Sequence, residues 1–345
     1  MRQVALGGSG IVASEWALGT MTWGSQTGED DARRQMDMAL DHGLTLWDTA
    51  EMYPVNPVRA ETWGRSEAIL GGWLASRKRR AAVLVATKVA GPGNALRGER
   101  GYGGGQVRRS CEASLRRLRT DRVDLLQLHW PERAHPHFRR NWTYRPEGDR
   151  EAVLAHMDDV LEQLGRLVEQ GKVRAAGLSN ETAWGVTAWR ARARAAGLPV
   201  MECVQNEHSL LCRHADTDMA EVLVMEGATL LAFSPLAAGL LTGKYLGGRV
   251  PPGSRKSLNG DLGGRASPRV DEAVRAYLDL AAAYGIDPVH MALAWHQTRP
   301  FPSLPILGAT TSGQLARLLE GVGATIPPDL AVAIDAAHRR HPMPF

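Results

Sequence analysis

An α/β barrel of eight parallel strands, each followed by a helix, is the fold this 345-residue chain predicts, and three observations carry it. Eight short apolar runs alternate with segments of helical periodicity. The run Ala82–Val89 (AVLVATKV) is apolar almost throughout, as a parallel strand covered on both faces requires. No linker-like break in composition divides the chain, so residues 1–345 read as one (β/α)8 domain of the TIM-barrel kind.

Ahead of the barrel, Val4–Leu6 and Ile11–Ser14 flank Gly7-Gly8-Ser9-Gly10 and read as a β-hairpin. Ala17–Met21 is the first barrel strand. The helix Asp30–His42 follows, with Asp30 and Asp31 favourable near its start and Gly43 just past its end. Leu44–Thr49 is strand two. In the next helix, Gly64–Arg80, Ile69, Leu70, Trp73 and Leu74 share a face. Ala82–Val89 is strand three and Gln106–Arg119 its helix, while Gly101–Gly105 between them reads as a loop. Val123–His129, Ala175–Ser179, Cys203–Asn206 and Thr229–Ser234 are strands four to seven. The helices between them are Met157–Gln170, Thr182–Ala196 and Ala215–Glu226. Helical Arg269–Tyr284 and Pro288–Thr298 precede strand eight, Leu304–Leu307, and Ser312–Val322 and Pro328–Arg339 follow it. Two connections are long, Pro131–His156 after strand four and Leu236–Pro268 after strand seven, and both fall on the catalytic face of such a barrel. A doubly wound dinucleotide fold would need G-x-G-x-x-G after its first strand, which Gly19–Gly28 does not supply.

The charge balance excludes one class of partner. With 41 Lys+Arg against 37 Asp+Glu, the net charge is only +4, no footprint for nucleic acid. The basic runs Arg77–Arg80 and Arg116–Arg119 read as solvated helix ends. Cys111, Cys203 and Cys212 are odd in number and lack metal-type spacing. With no signal-like start and no bilayer-spanning apolar run, a cytoplasmic protein without a membrane partner is expected. His135 and His137 with Asp158 or Asp159 fit no tight metal motif, and no metal is expected.

Chemistry gathers at the strand ends. LTLWDTAEMYP (Leu44–Pro54) ends strand two on Asp48, with Tyr53 in the following loop; Lys88 interrupts an apolar strand, and strand four ends at His129. Consecutive strand ends lie side by side on one rim of a barrel, so the four side chains converge. They suit carbonyl reduction. A hydride arriving at a carbonyl carbon makes an alkoxide, which Tyr53 can protonate. The ammonium of Lys88 lowers the phenol's pKa, Asp48 keeps Lys88 charged, and His129 donates a hydrogen bond to the carbonyl. The hydride must come from a cofactor, since no side chain provides one.

The wording of the chain resembles the aldo-keto reductases. Asp48, Tyr53, Lys88 and His129 match that family's tetrad. GTMTWG (Gly19–Gly24), DTAEMYP (Asp48–Pro54), GRSE (Gly64–Glu67), ATKV (Ala86–Val89) and LHWP (Leu128–Pro131) match its segments. GLSNE (Gly177–Glu181), QNEHSLL (Gln205–Leu211), FSPLAAGLLTGKY (Phe233–Tyr245) and LGATTSGQL (Leu307–Leu315) continue the match. DTAEMYP and the insert before ETWGRSE are most similar to the Tas-type bacterial members. The resemblance implies NADPH across the barrel's C-terminal face. Thr20 and Met21 would touch it, and Ser179, Asn180 and Gln205 would hold the nicotinamide carboxamide. Phe233 would stack on the ring. Ser234, Pro235, Leu236, Gly239, Leu240, Gly243 and Lys244 would cover the pyrophosphate, and Gly308, Thr310, Thr311 and Gln314 would lie near the 2′-phosphate. Leu318 and Arg317 depart from the family, standing where an asparagine and an acidic residue are usual.

The substrate expected is a small non-polar or aromatic aldehyde or ketone, in a pocket lined by Trp23, Met52, Tyr53 and Trp130. A competing reading is an NADP-binding regulatory or redox-sensing subunit, because the family includes channel-associated β-subunits that keep the tetrad. The absence of an extra N-terminal segment favours the enzyme. A metal-dependent hydrolase would need a His/Asp ligand set that the rim does not offer.

Overall fold

The computed structural model describes residues 1–94, 96 and 100–345, and it has the predicted architecture. The antiparallel hairpin pairs β1 (Gln3–Ala5) with β2 (Val12–Ser14). The barrel strands are β3 (Ala17–Gly19), β4 (Leu46–Asp48), β5 (Leu84–Val89), β6 (Val123–Leu128), β7 (Val173–Ser179), β8 (Met201–Glu207), β9 (Thr229–Phe233) and β10 (Ser303–Gly308). They are parallel and in sequence order, and β10 closes on β3. Around them run α1 (Glu29–Asp41), α2 (Arg65–Arg77), α3 (Gly104–Leu118), α4 (Arg150–Glu169), α5 (Ala183–Ala196) and α6 (Asp218–Glu226). Then come the short α7 (Arg255–Leu258), α8 (Val270–Ala283), α9 (Pro288–Ala294), α10 (Ser312–Leu319) and α11 (Pro328–Arg340).

The barrel interior is layered because strand side chains alternate with period two. Leu46, Ala86, Leu125, Ala175, Cys203, Leu231 and Leu304 form one apolar cluster, into which the hairpin inserts Leu6 and Ile11. The hairpin therefore seals the bottom, and Gly7 N donates to Thr229 Oγ1 (3.0 Å) to hold it there. Two residues further along their strands, Asp48, Lys88, Gln127 and Gln205 replace the apolar layer with a polar one. That layer faces the open, C-terminal mouth.

Several boundaries differ from expectation by a few residues, and two of the differences have a visible cause. The helix expected at Met157–Gln170 begins at Arg150, because the Asp149 side chain accepts from Glu151 N (2.9 Å) and caps an earlier turn. The connection after β6 is correspondingly shorter. Gly104 and Gly105, read as loop, open α3 instead; Gly104 N donates to Asp159 Oδ2 (2.6 Å) on α4.

Gly71 shows how tightly the outer ring is packed. A Cβ there would lie 2.2 Å from the Arg117 carbonyl oxygen and 2.6 Å from Leu118 C, both backbone of α3. Gly71→Ala would gain about 1 kcal/mol of helix propensity, but α3 cannot yield as a flexible side chain would. Overpacking of about 1–3 kcal/mol is expected to win, so the variant should unfold at lower denaturant concentration. An unchanged or higher midpoint would show that the two helices separate freely.

Candidate functional site

The tetrad converges as the strand order requires. Lys88 Nζ donates to Asp48 Oδ2 (2.6 Å), to the Thr49 carbonyl (2.9 Å) and to Tyr53 Oη (3.3 Å). All three ammonium protons are thus directed inside the barrel, where the Lys88 side chain has no exposure. Tyr53 is held over this group by its loop: Thr49 N donates to Ala86 O (2.9 Å) and Glu51 N to Lys88 O (3.2 Å). The Tyr53 ring meets His129 edge-on at 5.8 Å, and Lys88 Nζ stands 4.7 Å from its centroid. His129 is fixed through its backbone, its N–H donating to Val89 O (2.9 Å) and its carbonyl accepting from Asn180 Nδ2 (2.9 Å).

The electrostatics correct one expectation. Burial raises the Tyr53 phenol above its ordinary value; Lys88 pulls it down, Asp48 pushes it up, and burial prevails. Tyr53 is therefore a protonated phenol at neutral pH. Lys88 itself is destabilised as a cation by burial, yet Asp48 and Tyr53 outweigh that and hold it above the ordinary lysine value. Burial, then the charge of Lys88, keeps the His129 imidazole neutral, and its Nδ1 has no partner among the described residues.

The amide groups expected around a nicotinamide also gather. Ser179 Oγ donates to Gln205 O (2.8 Å), and Asn180 Nδ2 reaches Ser179 Oγ (3.1 Å). Asn180 Oδ1 is buried without a partner among the described residues, as is Thr20 Oγ1 just past β3. Gln205 Nε2 donates to Asp48 Oδ1 (2.8 Å) and Gln127 Oε1 (3.1 Å), which leaves its carbonyl end facing away from them. Unpaired Asn180 Oδ1 and the free end of Gln205 are acceptors suited to a carboxamide NH2.

Beyond β9 the chain turns through left-handed backbone at Ser234, Ala237, Ala238, Gly239 and Gly243. Phe233 ends β9, partly exposed, and Pro235 and Leu240 are buried beneath the turn together with half-buried Leu236. Lys244 and Lys256 approach the Tyr245 ring at 5.0 and 5.7 Å. Exposed Gly308 leads to α10, which Thr311 caps by accepting from Gln314 N (3.2 Å), while Gln314 Oε1 accepts from Thr310 N (3.0 Å). One amide at this helix start is already taken: Ser312 N donates to Asp31 Oδ2 (2.8 Å). Arg317 pairs with Asp287 (2.8 Å), and Leu318 lies in the core.

The substrate wall is smaller than expected. Met52 and Trp130 are partly exposed at the mouth, and Phe138 joins Trp130 edge-on at 6.1 Å. Trp23 does not belong to it. It is fully buried, its Nε1 bonded to Gln35 Oε1 (3.2 Å), whereas Met21 and Thr22 of the same turn are partly exposed.

Two residues escaped the sequence reading. Gln127 breaks the apolar run of β6 and shares the inward parity of Leu125 and His129, a signal that was available. Arg255, in the connection after β9, acts electrostatically on Tyr53 and has a buried Nε with no partner among the described residues. No periodicity announced it. His135 and His137 rings lie 5.8 Å apart, but Asp158 binds Arg192 and Asp159 binds Gly104. Among the described residues no three His, Cys, Asp or Glu side chains group as metal ligands, and no helix is long and apolar enough to cross a membrane.

A closed (β/α)8 barrel whose mouth holds a buried lysine between a carboxylate and a phenol is the arrangement of an oxidoreductase. The chain belongs to the aldo/keto reductase family, whose model matches residues 16–339. It is 38% identical to "Protein tas" of Escherichia coli (strain K12) over 97% of each chain. It is 31% identical to "Uncharacterized oxidoreductase YrpG" of Bacillus subtilis over 96% of this chain and 94% of that one. A "Probable voltage-gated potassium channel subunit beta" of Arabidopsis thaliana is 28% identical over 93% of this chain and 91% of its own length. Members of the family generally use NAD(P)H on small carbonyl compounds.

Proposed function

We propose that the protein reduces an aldehyde or ketone to the alcohol with NADPH, and that Tyr53 supplies the proton. The observation that carries this reading is the buried ammonium of Lys88, shared between Asp48 Oδ2 and Tyr53 Oη. Tyr53 is kept protonated by burial, so it holds the proton that the reaction needs. Once that proton moves to the alkoxide oxygen, Lys88 faces a phenolate and the ion pair strengthens. Neutral His129, whose ring meets that of Tyr53 edge-on, would orient the carbonyl oxygen through a hydrogen bond.

The nicotinamide cofactor supplies the hydride when bound. Asn180 Oδ1 and Gln205 would hold its carboxamide, Ser179 braces both, and Phe233 offers an aromatic face. Lys244, Arg255 and Lys256 put cationic charge along the connection after β9. The preference for the nucleotide carrying the extra phosphate rests on the start of α10, where the family resemblance puts Gly308, Thr310, Thr311 and Gln314 near the 2′-phosphate. A charge-assisted contact to the phosphate should make NADPH bind at least about tenfold more tightly than NADH. Fluorescence titration of both would measure this, and equal affinities would remove the preference for NADPH.

Met52, Trp130 and Phe138 support a non-polar or aromatic substrate. A screen of aldehydes, ketones and quinones for NADPH consumption tests the reading directly. Tight NADPH binding with no turnover on any of them would favour the regulatory alternative, which the channel-subunit relative supports.

A further inference from the structure

We propose that Gln127 is a positioning residue for proton delivery: with Gln205 it clamps Asp48 Oδ1, and so governs how readily Tyr53 gives up its proton. The inference rests on Tyr53 being the proton donor.

Asp48 is nearly fully buried, and a buried carboxylate is tolerable only if both oxygens are engaged. Oδ2 takes Lys88 Nζ. Oδ1 takes two amides, Gln205 Nε2 at 2.8 Å and Gln127 Nε2 at 3.2 Å. The two amides are also joined, Gln205 Nε2 donating to Gln127 Oε1 (3.1 Å). Their orientation is forced. Gln205 faces two acceptors with one end, so that end must be its NH2 group. Register sets Lys88 directly opposite Gln127 across β5 and β6, which explains how one carboxylate reaches both.

The groups facing Tyr53 are Lys88, Asp48, Arg255 and His129. Asp48 is the one anion among them, and it opposes phenolate formation. Each hydrogen bond donated to Oδ1 draws carboxylate charge away from Tyr53 and weakens its hold on Lys88. Without Gln127, more negative potential reaches the phenol and Lys88 is drawn toward Asp48. Both changes make the Tyr53 proton harder to remove. Gln205 also ties the clamp to its neighbours through its backbone, its carbonyl accepting from Ser179 Oγ (2.8 Å) and from Asn180 N (2.9 Å).

The test is the pH profile of alcohol oxidation by the holoenzyme, where deprotonated Tyr53 is the base. Gln127→Leu should move its rising limb alkaline by about one pH unit and lower kcat at neutral pH about tenfold, with KM for NADP+ unchanged. If Gln127→Leu does not fold, Gln127→Glu replaces it; a second carboxylate beside Asp48 should move the limb the same way. A lower rate with an unmoved profile, or a rise in KM for NADP+ alone, would overturn the proposal. Tyr53→Phe in the same assay separates the two ideas. If that variant is inactive while the Gln127 variants keep the parent profile, only the clamp fails; if it is fully active, the proton-donor reading fails first.

Discussion

Replacing Tyr53 with phenylalanine is expected to cut turnover by about 10²–10⁴-fold, the range that a positioned general acid contributes. The substitution is nearly isosteric. The ring keeps its edge-on contact with His129 at 5.8 Å, and Lys88 keeps Asp48 and the Thr49 carbonyl as acceptors. What disappears is the hydroxyl 3.3 Å from Lys88 Nζ, the one group of the cluster with a proton to give and an ammonium to receive its charge. Stability should therefore change little, and the groups proposed to hold the cofactor (Asn180, Gln205, Phe233) are untouched. NADPH titration should match the parent while single-turnover reduction slows. The parent should also sustain reduction well into alkaline pH, because burial raises the Tyr53 phenol above 10 and keeps the acid loaded. That alkaline limb should be absent from the variant's residual rate. A parent-like single-turnover rate would sink the assignment.

How much of this was legible beforehand follows from what each feature depends on. Asp48, Lys88 and His129 break or end apolar runs that are otherwise continuous, so parity and strand order alone bring them to one rim. Gln127 obeys the same rule, but an uncharged amide in an apolar run is a weaker signal than a charge. The sign of the Tyr53 shift was not accessible. Sequence displays the charged partner, whereas the depth of burial that outweighs it is set by how the β4 loop folds back on β5. Trp23 was misplaced for a related reason: an aromatic in a rim motif looks the same whether it faces substrate or core, and Gln35 on α1 decides it. Asp149 could have revealed the true start of α4, but the charged Arg150 and Glu151 and then His156 disguise its first turns as loop. The connection after β9 was opaque, being rich in glycine and built from left-handed turns without a repeat.

That connection depends on a carboxylate, and its removal should be the most damaging single change to the scaffold around the site. Glu207, at the end of β8, binds Arg139 from the connection after β6 and Arg265 (2.9 Å) from the connection after β9. The three side chains are only 8%, 12% and 7% exposed, respectively, and Arg139 also covers the ring of Phe345 at 4.6 Å. Glu207→Ala leaves two buried guanidinium groups without their counter-ion. Arg255 stands close enough that burial, then Arg265, already lowers it to about 10. Breaking a buried pair from one side costs about 3–5 kcal/mol, and that loss is expected at neutral pH. Glu207→Gln keeps the volume and an acceptor oxygen, so it should lose less. The pH dependence identifies the cause. Burial alone would raise the Glu207 carboxyl, but Arg265 and Arg139 outweigh it and hold the folded value below 4.5. A depressed folded pKa means the contribution is complete above the unfolded value near 4.5 and disappears as pH falls through the folded one. The stability gap between parent and Glu207→Ala, measured by chemical denaturation, should therefore be constant near neutrality and narrow below that point. A gap that persists undiminished in acid would assign the loss to packing around Phe345 and not to charge. Because one arginine from each long connection binds this side chain, the same variant should also release NADP(H) faster, even where the barrel itself remains folded.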